Sequence, residues 1–265
     1  VNLNKMIYKI RKILNKKNKS KIVCLTAYSK NTAKILDRYC DIILVGDSMA
    51  NVLYGHKNTS KITLNTIAQH TQSVKKGIQK SLLIVDMPKG SYPNKKIAKK
   101  NAKLLIKLTK CDGVKVESNN KNFNIISELV NSQIPVMGHI GYTPQFKKKF
   151  KVEGNTKKKA EKLLKEARLI EKAGAFSIVL ECLTPKAAKA ITNNLDIPTI
   201  GIGSSLNCDG QILVTDDMLG MSGFYPKFVK RYAYLNTNIE KAVKKYSSEV
   251  KKLKFPTNKN FFNES

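Results

Sequence analysis

Short apolar runs rich in β-branched residues recur along the chain, each closed by a polar residue and followed by a longer stretch in which apolar residues return every third or fourth position. The runs cover 21–26, 41–45, 82–85, 113–116, 135–138, 176–180, 198–202 and, less sharply, 211–214. Between them, 31–36, 65–79, 94–109, 123–131, 157–173 and 185–193 predict helices, with lengths that suit crossovers between parallel strands. Strands that are apolar on both sides are buried on both faces, which leaves a closed eightfold barrel or an open doubly wound sheet. The strand count favours the (β/α)8 barrel, and no Gly-x-Gly-x-x-Gly follows the first run to open a dinucleotide site.

Two further periodic segments flank this pattern. Leu3, Met6, Ile7, Ile10, Ile13 and Leu14 form the apolar stripe of an amphipathic helix before the first strand. At the other end, 238–254 repeats helical spacing through Ile239, Ala242, Val243, Tyr246, Val250 and Leu253, which predicts a helix on the outside of the barrel or at a subunit contact. The expected organisation is one barrel domain over 1–265 with a C-terminal helical extension.

Composition narrows the function classes. Lysines interrupt every apolar segment before it reaches the ~20 residues of a membrane span, so a cytoplasmic protein is expected. The five cysteines are widely spaced with no Cys-x-x-Cys pair, which points to a reducing compartment and to neither a disulfide framework nor a structural zinc site. A formal net charge of +30 raises the question of nucleic acid. The surplus is nearly all lysine and is spread from end to end, so it reads as a solvated surface and no nucleic-acid partner is expected.

In a barrel of this kind, catalytic groups stand at the C-terminal ends of the strands. Here these ends carry Thr26, Asp47-Ser48, Asp86, Lys115 with Glu117, His139, Glu181 and Ser204-Ser205. Lys115 and Glu117 are two apart and therefore share one strand face, with Val116 on the other. A lone acidic residue after a strand is most often a helix cap. Asp47, Asp86, Glu117 and Glu181 from four strands would instead crowd one rim at an electrostatic cost that a cation relieves, and oxygen donors suit Mg²⁺. His139 is read equally as a buried hydrogen-bonded imidazole and as a catalytic one.

At these residues the chain resembles the ketopantoate hydroxymethyltransferase family. The resemblance rests on Thr26-Ala27-Tyr28, Val45-Gly46-Asp47-Ser48, Tyr54-Gly55-His56, Asp86-Met87-Pro88, Val114-Lys115-Val116-Glu117, Gly138-His139-Ile140-Gly141-Tyr142-Thr143-Pro144-Gln145, Leu180-Glu181-Cys182, Ile200-Gly201-Ile202-Gly203, Asp209-Gly210-Gln211-Ile212-Leu213-Val214 and Pro226-Lys227-Phe228, in that order over 3–254. It implies a barrel of the phosphoenolpyruvate/pyruvate superfamily that transfers a hydroxymethyl group from 5,10-methylenetetrahydrofolate to 3-methyl-2-oxobutanoate, giving 2-dehydropantoate for pantothenate synthesis through a metal-stabilised enolate. Carried over by motif, Asp47, Asp86 and Glu117 match the Mg²⁺ positions. Asp47, Ser48, Asp86 and Lys115 match the oxo-acid contacts, and Glu181 matches the proton acceptor. A homo-oligomer, in the family a decamer, is implied as well.

Some positions depart from the family pattern. Ser29 stands where Asp is usual, Ala50 and Ser118-Asn119 replace glycines, Lys89 replaces an apolar residue, Glu153 replaces Gln in a shortened 146–156 loop, and Ser204-Ser205 replaces Ala-Gly. The nearest rival is a lyase or phosphonomutase of the same superfamily. Such lyases present a Lys-Cys-Gly-His motif, and here Gly138-His139 lacks the Lys-Cys before it.

Overall fold

The computed structural model describes residues 3–119, 122–147, 149–223 and 225–262. The chain divides into two compact units, Val1–Thr215 and Asp216–Ser265.

The first unit alternates strand and helix after an initial helix. In order they are α1 (Leu3–Leu14), β1 (Ile22–Thr26), α2 (Lys30–Leu36), β2 (Ile42–Val45), α3 (Met49–Val52), α4 (Leu64–Lys75), β3 (Leu82–Asp86), α5 (Lys95–Thr109), β4 (Gly113–Glu117), α6 (Phe123–Asn131), β5 (Val136–Gly141), α7 (Lys157–Lys172), β6 (Ser177–Glu181), α8 (Pro185–Asn194), β7 (Thr199–Ile202) and β8 (Gly210–Leu213). All eight strands pair in parallel in sequence order, and β8 pairs with β1 to close the barrel.

Strand alternation sorts the apolar residues into two cores. Ile22, Cys24, Ile42, Leu44, Leu82, Ile84, Met137, Val179, Ile200 and Ile212 fill the barrel interior. Ile43, Val45, Leu83, Val85, Val114, Val116, Val136, Ile178 and Leu180 pack outward against the helices. Each such side chain contributes about 1.5–3 kcal/mol on burial, so the two layers together hold the sheet closed.

Helix α1 seals one end of the interior. Met6, Lys9 and Ile13 are its buried residues, and Ile13, Ile10 and Leu14 join the interior cluster. Lys9 Nζ reaches Ser81 O at 2.7 Å and Asp112 Oδ2 at 3.0 Å, and just beyond the helix Lys17 Nζ reaches Asp209 Oδ2 at 2.9 Å. The amphipathic stripe expected from the sequence is thus a barrel plug, with two lysines tying it to strand-flanking carboxylates.

Several boundaries differ from the sequence expectation. Helix α4 stops at Lys75 rather than continuing to 79, because Gly77 lets the chain close on α2, where a Cβ would lie 2.4 Å from Lys30 O. Strands β3, β4, β5 and β6 run on to Asp86, Glu117, Gly141 and Glu181, since the parallel ladder continues through Asp86↔Lys115, Glu117↔His139 and Gly141↔Glu181. The polar residues at the strand ends are therefore held by the sheet itself, not by the loops that follow.

In the second unit, the C-terminal helix spans Leu235–Lys251, three residues earlier than its apolar spacing suggested. The left-handed backbone of Leu253, φ 55°, lies just past its end. None of its residues is buried, and Ile239, Val243, Tyr246 and Val250 remain exposed.

Candidate active site

At the C-terminal mouth, the interior changes from aliphatic to ionic. Asp86, Lys115, Glu117 and His139 are each at most 6% exposed, and Asp47 joins them from the turn after β2. Glu181, closing β6, keeps 17% of its side chain open at the mouth. Gly46 makes room for this gathering, because a Cβ there would meet Ser48 Oγ at 2.8 Å and Asp86 Oδ2 at 3.5 Å. Every site residue expected from the sequence, including Ser48 at the start of α3, belongs to this one end of the barrel.

Lys115 is the cation at the centre. Its Nζ lies 2.8 Å from Asp86 Oδ1 and 3.5 Å from His139 Nδ1. Burial disfavours its charge, but Asp86, Glu117 and Asp47 outweigh that effect and hold it protonated well above the ordinary lysine range. Asp86 Oδ2 accepts from the backbone N–H of Asp47 at 2.9 Å. Asp86 Oδ1, although buried, has no aligned hydrogen bond; Lys115 faces it as an ion pair only.

One lysine cannot neutralise four carboxylates, and the remainder bind protons more tightly. Burial, followed by the charge of Asp86, raises Asp47 above the usual carboxylate range, against Lys115 and a hydrogen bond from Gln145. Glu117 is raised well above its ordinary value by burial, with Lys115 opposing and Asp47 and Glu181 reinforcing. Burial carries Glu181 up to about 8, opposed by Lys115 and reinforced by Asp86. His139 is pushed well below its ordinary value by burial and then by Lys115, so its imidazole is neutral. Its Nε2 stands 3.2 Å from Glu181 Oε2 and its Nδ1 3.6 Å from Glu117 Oε1, without the alignment of full hydrogen bonds.

Gln145 and Tyr92 are the site residues that strand-end reasoning missed. Gln145 is 1% exposed. Its Nε2 donates to Asp47 Oδ2 at 2.9 Å and Met87 O at 3.0 Å, and its backbone N–H donates to Glu117 Oε2 at 3.0 Å. Its Oε1 accepts from Tyr92 Oη at 2.5 Å. One residue thus fixes two of the crowded carboxylates, Asp47 through its side chain and Glu117 through its peptide N–H. Its position in the Gly138–Gln145 motif was the only sequence signal, and that motif does not say which way a loop glutamine turns. A second support line runs from Tyr54 Oη through His70 to the carbonyl of Tyr28, whose hydroxyl is 2.8 Å from Ser48 Oγ.

The departures from the family pattern leave this rim intact. Ser29 still caps α2 by accepting from Thr32 N. Ser204 Oγ donates to Leu180 O and accepts from Leu183 N, bracing the turn that follows Glu181. Glu153 pairs with Lys147 at 2.7 Å.

A hard divalent cation fits this donor set in charge and in element. All the anionic donors are oxygens, and buried Asp86 Oδ1 has lone pairs that no hydrogen bond uses. Among the described residues no three acidic, His or Cys side chains form a ready-made cage. Direct protein ligands would therefore be few, with water and substrate completing the shell, which is the habit of Mg²⁺.

Comparison with known proteins fits the same picture. The family model for ketopantoate hydroxymethyltransferase matches residues 7–258. The 3-methyl-2-oxobutanoate hydroxymethyltransferase of Pelagibacter ubique is 48% identical over 254 residues, covering 96% of this chain and 99% of that protein. Its counterpart from Clostridioides difficile is 49% identical over 249 residues, covering 91% and 90%. Among solved structures, 2,3-dimethylmalate lyase, a member of the PEP mutase/isocitrate lyase superfamily, superposes with a TM-score of 0.62 at 14% identity, covering 98% of this chain and 91% of that one. The phosphoenolpyruvate phosphomutase of Streptomyces platensis gives 0.62 at 10%, covering 97% and 91%. These two share the fold, while the similarity at the level of sequence lies with the transferases.

Proposed function

We propose, from the premise that this chain belongs to the ketopantoate hydroxymethyltransferase family, that the ionic rim of the barrel binds 3-methyl-2-oxobutanoate and that Glu181 removes its C3 proton. The reaction of the family transfers a hydroxymethyl group to this oxo acid and makes 2-dehydropantoate, with 5,10-methylenetetrahydrofolate as the one-carbon donor. The observation that carries the assignment of roles is the convergence of Asp47, Asp86, Lys115, Glu117 and Glu181 from the ends of β2, β3, β4 and β6 onto one buried mouth.

Lys115 supplies the fixed positive charge that an oxo-acid carboxylate requires, and its anionic neighbours keep it charged. Ser48 offers a hydroxyl at the same edge, with Tyr28 able to donate to it so that its own proton faces the substrate. Asp47 and Asp86 would hold a divalent cation, with Glu117 beside them, oriented through Gln145. When bound, that cation supplies Lewis-acid polarisation of the keto group. Glu181 stands partly open at the mouth, with a proton affinity near neutrality that suits a general base. It accepts the C3 proton and the C–H electron pair passes into the enolate. C3 then bonds to the one-carbon unit, whose two C–N bonds to the folate break while water supplies the hydroxyl oxygen, leaving 2-dehydropantoate and tetrahydrofolate, with the released protons ending on the two folate nitrogens. Neutral His139, its Nε2 3.2 Å away, lies beside the Glu181 carboxylate without competing for its charge.

Assembly into a homo-oligomer, the family decamer, is part of this reading, and the exposed apolar residues Ile239, Val243, Tyr246 and Val250 of Leu235–Lys251 support it. No helix among the described residues is long and apolar enough to cross a membrane. A cytoplasmic setting is supported by five buried, unpaired cysteines.

The direct test is product analysis. Purified protein given 3-methyl-2-oxobutanoate, methylenetetrahydrofolate and Mg²⁺ is expected to form 2-dehydropantoate, and chelation by EDTA is expected to stop it. Cleavage of a C–C bond in dimethylmalate under the same conditions, with no 2-dehydropantoate formed, would place the chain with the lyases instead.

A further inference from the structure

Beside the carboxylate rim lies a cavity of about 720 Å³, walled by the segment between β3 and α5, by the start of α6 and by Phe146. We infer that this cavity receives the glutamate end of the folate co-substrate, with the carboxylates of a γ-glutamyl tail on Lys89, Lys95 and Lys96. The inference rests on the folate-dependent reaction assigned above and adds the place and the recognition chemistry of the second substrate.

Position is the first argument. The wall residue Tyr92 donates to Gln145, and Gln145 donates in turn to Asp47, so cavity and rim are separated by a single side chain. A molecule seated in the cavity can present one end to the carbon held at the rim.

Charge is the second. The rim is crowded with carboxylates and repels a polyanionic tail, whereas the cavity carries three lysines. Among the described residues, none of these three forms an ion pair, unlike Lys99 further along α5, which pairs with Glu128 at 2.9 Å. This polarity orients a folate with its glutamates outward and its one-carbon end toward Glu181. Lys89, moreover, stands where the family resemblance leads one to expect an apolar residue, so the third cation is a feature of this chain.

Shape is the third. Tyr92 and Phe146 meet edge to face with ring centroids 6.3 Å apart, giving the cavity an aromatic wall for a flat conjugated ring. The volume lies within the roughly 300–1,000 Å³ of sites that take ligands of this size.

The experiment compares equilibrium binding of tetrahydropteroyl monoglutamate and pentaglutamate by titration calorimetry. The proteins are the wild type, the single variant Lys89→Gln, the triple variant Lys89→Gln/Lys95→Gln/Lys96→Gln, and a control with Lys241→Gln/Lys244→Gln on the C-terminal helix. In the wild type the pentaglutamate should bind about tenfold more tightly, as three exposed ion pairs allow, with a preference that shrinks as salt rises. The triple variant should lose that preference, Lys89→Gln should lose part of it, and the control should keep it. Equal binding of both ligands by the wild type, or equal loss in the control, would overturn the site. If the wild type bound neither folate and made no 2-dehydropantoate, the functional reading would fail and this inference with it.

Discussion

Gln145 Nε2 donates a 2.9 Å hydrogen bond to Asp47 Oδ2 in the interior of the barrel mouth. The same residue holds Glu117 through its backbone N–H, so two carboxylates that repel each other are kept at fixed positions by one amide side chain and one peptide. Removing the side chain in Gln145→Ala leaves Asp47, Met87 O and Tyr92 without their partner. By the usual effect of losing such a support, kcat should fall about 10- to 100-fold and the Mg²⁺ needed for half-maximal rate should rise by a similar factor. Gln145→Glu, nearly isosteric, sets a further negative charge against Asp47 and should do worse than alanine. Unchanged metal dependence in both variants would reduce Gln145 to a packing role.

Glu181 dictates the pH response. Its carboxyl is raised to about 8 by burial, with Lys115 pulling down and Asp86 pushing up. A base acts only when deprotonated, so kcat should rise with pH and level off above the pKa of Glu181. A cation beside Asp86 offsets the charge that pushes Glu181 up, placing the midpoint at or below about 8 in the loaded enzyme. Lys115→Met removes the downward influence and should move the midpoint to higher pH, whatever it does to substrate binding. A rate that falls as pH rises through neutrality would assign the limiting proton transfer to an acid instead.

The plug helix makes a prediction about stability. Lys9 and Asp112 pair at 3.0 Å with side chains 7% and 5% exposed. Lys9→Ala leaves the buried Asp112 charge and the Ser81 carbonyl unpaired, and by analogy with other broken buried pairs it should cost about 3–5 kcal/mol. Lys99→Ala breaks a pair that is 41% and 29% exposed and should change stability far less. Urea unfolding of both variants checks the ranking, and equal midpoints would contradict it.

What the sequence disclosed, and what it withheld, follows from the range of the interactions. Strand alternation is local, so the eight runs, the barrel and the shared face of Lys115 and Glu117 were legible; Val116 does lie in the outer core and its two neighbours at the mouth. Strand ends were read short at Asp86, Glu117 and Glu181, because an acidic residue looks like a terminator until its parallel neighbour is known. Gln145 and Tyr92 were not legible as site residues, since their roles depend on how two loops meet over the rim. The lysine surplus likewise gave no location; only the packing of the β3–α5 segment beside Phe146 gathers three of those lysines around one cavity.

The central claim, that Glu181 takes the C3 proton at the ionic rim, is tested most directly by exchange of the C3 hydrogen of 3-methyl-2-oxobutanoate into deuterated water. The measurement is made with Mg²⁺, with and without tetrahydrofolate, on the wild type and on Glu181→Gln. The account predicts exchange in the wild type that requires the cation and is abolished by Glu181→Gln, with oxo-acid binding retained. Exchange at the wild-type rate in Glu181→Gln, or exchange indifferent to the cation, would contradict it.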